Sequence, residues 1–403
     1  MTEVVAQNNL AERINRLEES ATIAMARKSR QLIAEGRDII SLSLGEPDFN
    51  TPDFIKDAAV QAIADNYTKY MAVNGYEDLR MAICNKFQRD NGLSYSPDQI
   101  VVSTGAKQSI ANVVMSLINP GDEVIVPAPY WVTYVEIIKM AGGIPVIVHA
   151  GISNDFKITP SQFEQAISAK TRMMIFSSPC NPTGSVYNEL ELQGLADVLQ
   201  NYENIVVISD EIYEHINFTG QHHSLAQFPE VKEQVVTVNG VSKAFAMTGW
   251  RLGYLGGPKW IAAACTKMQG QFTSGTCGIT QRAAKTALEA DPSVVHDMRD
   301  EFLSRRNLML NRLKQISGVK INVPPGAFYV FPDISSYFGK TANGITVNTA
   351  SDLSLYLLEF ANVAIVTGDA FGDPDCIRIS YAAAKDVLEK AMDRIEAALN
   401  QLA

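Results

Sequence analysis

Lys243 lies in VSKAFAMTGWRLGY (241–254), between a serine and an alanine, just past an apolar segment. Val235, Val236 and Val238 read as a buried parallel strand that Asn239-Gly240 closes. Packing explains a lysine there poorly, although a solvated surface lysine is the ordinary reading of any single one. Nucleophilic chemistry explains it better, since a primary amine forms an imine with an aldehyde. Arg251, further along the same block, offers a planar cation that could clamp a phosphate. A second strand end, Ile205 to Ile208, delivers Ser209, Asp210, Glu211, Ile212 and Tyr213. A carboxylate that keeps a pyridine nitrogen protonated makes the ring an electron sink, and a nearby tyrosine can reach the ring's phenolic oxygen. Asp210 after a strand can also be a mere turn cap. Taken with Lys243 and Arg251, it forms the set that pyridoxal phosphate (PLP) needs.

Phosphate binding follows from elementary physics. Ser103-Thr104-Gly105-Ala106-Lys107 opens a helix whose unpaired N–H groups and dipole attract an anion. Gly105 and Ala106 allow close backbone approach, while Ser242 and Arg251 would add a hydroxyl and a forked cation.

With these residues in view, the chain resembles the aminotransferases of PLP fold type I, and among them the bacterial class I aspartate aminotransferase group. The resemblance spans nearly the whole chain through SLSLGEPDFNTP (41–52), TKYMAVNGYEDLR (68–80), STGAKQ (103–108), APYWVTY (128–134), SPCNPTG (178–184), SDEIY, the lysine block, PPGAFYVF (324–331) and IRISYA (377–382). Each string is weak alone; their order and spacing are specific. The resemblance implies PLP as cofactor, with Lys243, Asp210 and Tyr213 as the catalytic residues. It also implies Trp131 stacked on the ring and Asn181 donating to the phenolic oxygen. Arg378 would grip the substrate α-carboxylate with help from the backbone of Gly45, and Tyr70 would reach the phosphate of a partner subunit in a homodimer. Lys107 would meet the distal carboxylate of aspartate or glutamate, although phosphate contact or solvent exposure suits a flexible lysine too. Cis peptide bonds are implied at Ala128-Pro129 and Asn181-Pro182.

The elements that must position these residues alternate. Residues 53–65 and 76–90 read as helices, Ile100 to Ser103 as a strand, and a helix follows Gly105 to Asn119-Pro120-Gly121. Apolar runs at 123–126, 144–148, 172–177, 205–208 and 235–239 read as strands, which argues for an α/β sheet with its ligands beyond the strands' carboxyl ends. A long helix (294–315), short strands near 319–323 and 327–331, and a final helix from about 384 follow. The expected fold is therefore α/β: a mostly parallel central sheet with helices on both faces plus a small α/β domain. The resemblance implies an N-terminal arm and part of the small domain (1–50), a large cofactor domain (51–299) and a C-terminal small domain (300–403).

Composition sets bounds. Thirty-four basic against 44 acidic residues give a formal charge of −10, which argues against nucleic acid or an anionic membrane as partner and requires focused cations for anionic substrates. Five scattered cysteines without CxxC spacing suit reduced thiols in the cytoplasm, and Cys180 reads as a small buried thiol. The five histidines show no metal-ligand spacing, and no segment reads as a signal peptide or membrane span. Glu18 and Glu19 stand where some relatives carry a basic residue and a proline, and TSGTCG (273–278) departs from a TSNP-like form. The expected activity is aspartate plus 2-oxoglutarate transamination. Aromatic or prephenate aminotransferases and a PLP-dependent carbon–sulfur lyase would share most of these residues. STGAKQ is neither GxGxxG nor a P-loop, and no basic DNA-binding module is present, so a nucleotide enzyme and a PLP-sensing regulator fit poorly.

Overall fold

Seven apolar segments form one sheet in the computed structural model, which describes residues 9–402. Numbered within that sheet in chain order, they are β1 (Ile100–Ser103), β2 (Glu123–Ala128), β3 (Ile144–His149), β4 (Thr171–Ser177), β5 (Val206–Asp210), β6 (Val235–Gly240) and β7 (Gly253–Gly256). Their spatial order is β1-β7-β6-β5-β4-β2-β3. Only β7 runs antiparallel to its neighbours, β1 and β6, so β1 points the same way as the parallel set. The sheet is mostly parallel, as the alternation of elements implies. The antiparallel β7 escaped the sequence reading because GYLG carries glycine at two of its four positions and makes no apolar run.

Side-chain alternation divides each strand between two cores. Val207, Met174 and Phe176 pack on one face with Leu79 and Ile83 of helix Glu77–Asn91 and with Leu192 and Leu195 of helix Glu189–Leu199. Val206, Ile208, Met173 and Ile175 pack on the other with Ile110, Val113 and Val114 of helix Ala106–Leu117 and Ile261 of helix Lys259–Phe272. Strands buried on both faces lack polar alternation, which is why they read as continuous apolar runs.

A further core is built from both ends of the chain. Ile40 and Leu42 join Phe302, Met309, Phe328, Ile379 and Leu388. Ile40–Ser41 pairs in parallel with Val363–Ala364, and Tyr329–Val330, Ile377–Ser380 and Val366–Thr367 form a small antiparallel sheet. The expected strand at 319–323 is not formed: Lys320 makes only an isolated bridge with Asp333, and Pro324-Pro325 follow at once. Position 300 falls inside the continuous helix His296–Leu313, so no linker marks that point. Both expected cis bonds, Ala128-Pro129 and Asn181-Pro182, are present, and Ser178-Pro179 is cis as well.

Candidate active site

The carboxyl ends of the strands meet at one edge of the sheet. Asp210 ends β5, Lys243 follows β6, Trp131 follows β2, Asn181 follows β4 and Gly105 follows β1. Around them is a cavity of about 310 Å³ lined by Gly45, Ala106, Lys107, Trp131, Asn181, Asp210, Tyr213, Ser242, Lys243, Arg251 and Arg378. That size suits a small cofactor with a substrate. Gly105 sits just behind the wall. Its φ is +88°, and a Cβ there would come within 2.5 Å of the Arg251 guanidinium, so a larger residue would push that cation off the turn. Gly253 is equally constrained, since a Cβ would strike the Ala106 nitrogen. Tyr70 alone lies away from the cavity, 97% exposed.

Four cations line the cavity, and the direct contacts of each are to neutral groups. Lys243 Nζ donates to the Gly45 carbonyl at 2.5 Å. Arg251 donates to the carbonyls of Thr248 (3.0 Å) and Thr104 (3.5 Å). Arg378, 2% exposed, donates to Asn181 Oδ1 (2.9 Å) and the Ser43 carbonyl (2.5 Å), while its buried Nε has no partner. Lys107 sits 5.0 Å from the centre of the Trp131 ring. An acidic protein has thus gathered four cations against the carboxylates of Asp210 and Glu46, an excess of positive charge that anionic ligands require.

Burial shifts these groups toward their neutral forms. The Lys243 amine is lowered to about 8, chiefly by desolvation, with Arg378 and Arg251 pushing the same way against the pull of Glu46 and Asp210. Desolvation and then Arg251 lower Lys107, and desolvation lowers Arg378. Asp210 rises to about 6 through desolvation, although Tyr134 donates to its Oδ2 at 2.6 Å and the Ile212 N–H to its Oδ1 at 3.3 Å.

A carboxyl raised in the folded state stabilises the fold at low pH, and the contribution is lost as the pH rises through its folded value. For Asp210 that window runs from its ordinary 3.8 up to about 6. Above it, the ionised group costs the cofactor-free chain on the order of 3 kcal/mol. Asp210→Asn keeps an acceptor for Tyr134 and should raise the Tm of cofactor-free protein by a few degrees at pH 8 but not at pH 4. Calorimetry at the two pH values checks this; an equal gain at both would show that charge is not the cause.

Several groups at the site escaped the sequence reading. Tyr134 sits in the quoted APYWVTY, but nothing in the string marks its hydroxyl as the partner of Asp210. Tyr329, in PPGAFYVF, shares a 2.8 Å hydrogen bond with Tyr213, and a Cβ on Gly45 would lie 2.2 Å from its hydroxyl. Ser20, Thr22 and Ile23 bring the N-terminal segment to the cavity wall. Cys180 is buried, with its thiol 3.6 Å from the Pro129 carbonyl. His222, read as a loop residue, contacts Glu211 at 2.9 Å and groups with Glu211 and Glu214, while Lys86 already pairs with Glu214. Tertiary folding, not sequence spacing, assembles that cluster.

A lysine amine, a buried carboxylate and the N-terminus of a helix meet at the carboxyl edge of a mixed sheet, which is where α/β enzymes bind small ligands. The chain belongs to the class I and II aminotransferases, whose family model matches residues 37–395. It is 46% identical over 404 residues to a bifunctional aspartate aminotransferase and glutamate/aspartate-prephenate aminotransferase of Petunia hybrida, covering 99% of this chain and 84% of that protein. It is also 46% identical to an aspartate/prephenate aminotransferase of Cereibacter sphaeroides, covering 96% and 98%. Among solved structures, the aspartate aminotransferase of Rhizobium meliloti superposes with a TM-score of 0.95 at 40% identity, covering 98% of this chain and all of that one. The Thermus thermophilus aspartate aminotransferase with maleate gives 0.91 at 38%, covering 97% and 99%.

Proposed function

We propose that the protein is a PLP-dependent aspartate aminotransferase that passes the amino group of aspartate to 2-oxoglutarate. The observation that carries this reading is the set of four cations without hydrogen-bonded carboxylate partners, Lys243 among them, that line one cavity with Asp210. The residues fit the cofactor. Its phosphate suits the free N–H groups at the start of helix Ala106–Leu117, with Ser242 and Arg251 beside them and a Gly105 cradle that a Cβ would fill. When bound, PLP supplies an aldehyde carbon for amines and a ring that accepts the electron pair released at the substrate Cα.

The chain's own residues do the rest. Lys243, with an amine lowered to about 8, is basic enough to take a proton from Cα yet uncharged often enough near neutral pH to do so. Asp210 holds positive charge on the ring nitrogen, and Tyr134 holds Asp210. Asn181, whose Oδ1 is engaged by Arg378, keeps its amide N–H groups for the phenolic oxygen, and Tyr213 is steadied there by Tyr329. Arg378 takes the α-carboxylate, which would satisfy its orphaned Nε. Lys107 and Trp131 form the side that meets the distal carboxylate. The Thermus enzyme's maleate is a dicarboxylate, in keeping with that assignment.

Prephenate is a second reading, favoured by the names of several relatives. Against it, position 18 carries a glutamate, 84% exposed and 3.9 Å from Lys139, where a basic residue would favour a longer dicarboxylate. The same reading makes the protein a cytosolic homodimer. Tyr70 lines none of its own cavity and is almost wholly exposed, Phe54, Val60, Ile63 and Phe272 are exposed as well, and all five cysteines are free. No helix among the described residues is long and apolar enough to cross a membrane. It divides the chain into an arm (1–50), a cofactor domain (51–299) and a small domain (300–403).

Lys107→Ala tests substrate class. Loss of a charge-assisted contact worth roughly 1.5–3 kcal/mol should lower kcat/KM for aspartate and glutamate about ten- to a hundred-fold and leave phenylalanine nearly unchanged. An unchanged aspartate-to-phenylalanine ratio would remove the distal-carboxylate role. A uniform fall with weaker PLP binding would assign Lys107 to the phosphate.

A further inference from the structure

Tyr70 stands clear of its own chain, yet the backbone beside it is pinned. The Val73 carbonyl accepts from Gln269 Nε2 (2.8 Å), the Asn74 carbonyl accepts from the Val102 N–H (3.1 Å), and the Tyr76 N–H donates to Gln281 Oε1 (2.8 Å). Gly275 packs so closely on the segment that a Cβ there would lie 2.9 Å from the Met71 sulfur. An exposed aromatic on a fixed base is ready for contact with another molecule, because little ordering cost remains on binding.

Gln269 is fully buried on helix Lys259–Phe272 and joins three segments. Besides Val73, its Nε2 donates to the Val102 carbonyl (2.9 Å) in β1, the strand that feeds the phosphate turn. Its Oε1 accepts from Asn112 Nδ2 (2.9 Å) on the helix that this turn opens. Both amide hydrogens are used, and each partner is itself buried or fixed backbone. A second polar layer runs alongside. Gln108 donates to Thr273 Oγ1 (2.6 Å), and Thr104 and Thr276 share a hydroxyl hydrogen bond (2.8 Å), linking the phosphate turn to the stretch that packs on Met71.

We propose that Gln269 is a positioning residue that couples the phosphate turn of one subunit to the Tyr70 segment which that subunit presents to its partner, so that the two cofactor sites of the dimer are mechanically joined. The inference rests on the dimeric reading in which Tyr70 serves the neighbouring site. Gln269 then contributes to cofactor affinity through a tyrosine it does not touch.

A double-mutant cycle on PLP affinity, measured by titrating the cofactor-free dimer and following absorbance, tests this. Tyr70→Phe should weaken binding about tenfold or more, since it removes a hydrogen bond to a charged group. Gln269→Leu should weaken it comparably, and the double variant should be no weaker than the poorer single one. Asn112→Ala, which frees the Gln269 carbonyl but leaves both of its donor contacts, should show a smaller loss, again not multiplied by Tyr70→Phe. It carries the test if Gln269→Leu does not fold. If Tyr70→Phe weakens binding and the two losses multiply, Gln269 acts within its own site and the inference falls alone. If Tyr70→Phe has no effect on affinity, the tyrosine reading falls and takes the inference with it.

Discussion

Lys243→Ala is expected to lose multiple turnover while keeping its cofactor. The amine sits against the Gly45 carbonyl and between the rings of Tyr213 and Phe328, 5.7 and 5.9 Å from their centres. No other lysine near it is both desolvated and central, since Lys107 lies against Trp131 at the cavity's edge. Removing the base alone should lower kcat by about 10²–10⁴-fold, and losing the covalent step should lower it further. The phosphate clamp of Arg251, Ser242 and the start of helix Ala106–Leu117 does not use the imine. PLP should therefore remain near one per subunit after gel filtration, with its absorbance shifted to that of the free aldehyde. Ordinary turnover in this variant would remove Lys243 as the base. Cofactor-free variant protein would show that the clamp depends on the imine.

The site was legible where chemistry and a strand end coincided. Asp210 and Lys243 stand at the ends of β5 and β6, whose unbroken apolar runs announce themselves, and a charged residue after such a run calls for a reason. Gly105 was legible because a glycine between a strand and a helix marks a close approach, and the turn does carry φ +88°. Arg378 was reached through resemblance rather than pattern, since an arginine in IRIS looks like any alternating surface residue. Its almost complete burial is a tertiary fact.

What stayed hidden depends on pairs far apart in the chain. Tyr134 meets Asp210, Tyr329 meets Tyr213, and Gln269 meets Val73, each through one hydrogen bond across a large sequence separation. Tyrosine and glutamine are common in cores and loops alike, so neither type nor spacing marks such partners. The strand β7 was hidden for a different reason. Its glycines permit the close approach of Ala106 and of Phe87 and Tyr95, and in doing so remove the apolar signal by which strands are found.

Arg378→Leu is the second variant with a large expected effect, and it should separate function from stability. The guanidinium is almost wholly buried, lies 4.7 and 4.8 Å from the centres of the Tyr329 and Phe371 rings, and bonds only to an amide oxygen and a backbone carbonyl. A charge held that way disfavours the empty fold, and burial lowers its pKa accordingly. Leucine would remove the cost, so the cofactor-free variant should be as stable as the wild type or more so. For catalysis the sign reverses. Two charge-assisted bonds to the α-carboxylate at roughly 1.5–3 kcal/mol each imply a fall in kcat/KM of about 10²–10⁴-fold for every amino acid donor. Aspartate, glutamate and phenylalanine should suffer alike because all three carry that carboxylate, in contrast to the selective loss expected for Lys107→Ala. Arg378→Lys keeps the charge without the planar fork and should fall between. Calorimetry beside a donor panel reads both effects. A donor-selective loss in Arg378→Leu would move this arginine to the distal carboxylate, and a large loss of stability would show that its bonds to Asn181 and Ser43 hold the fold together more than they prepare it for a substrate.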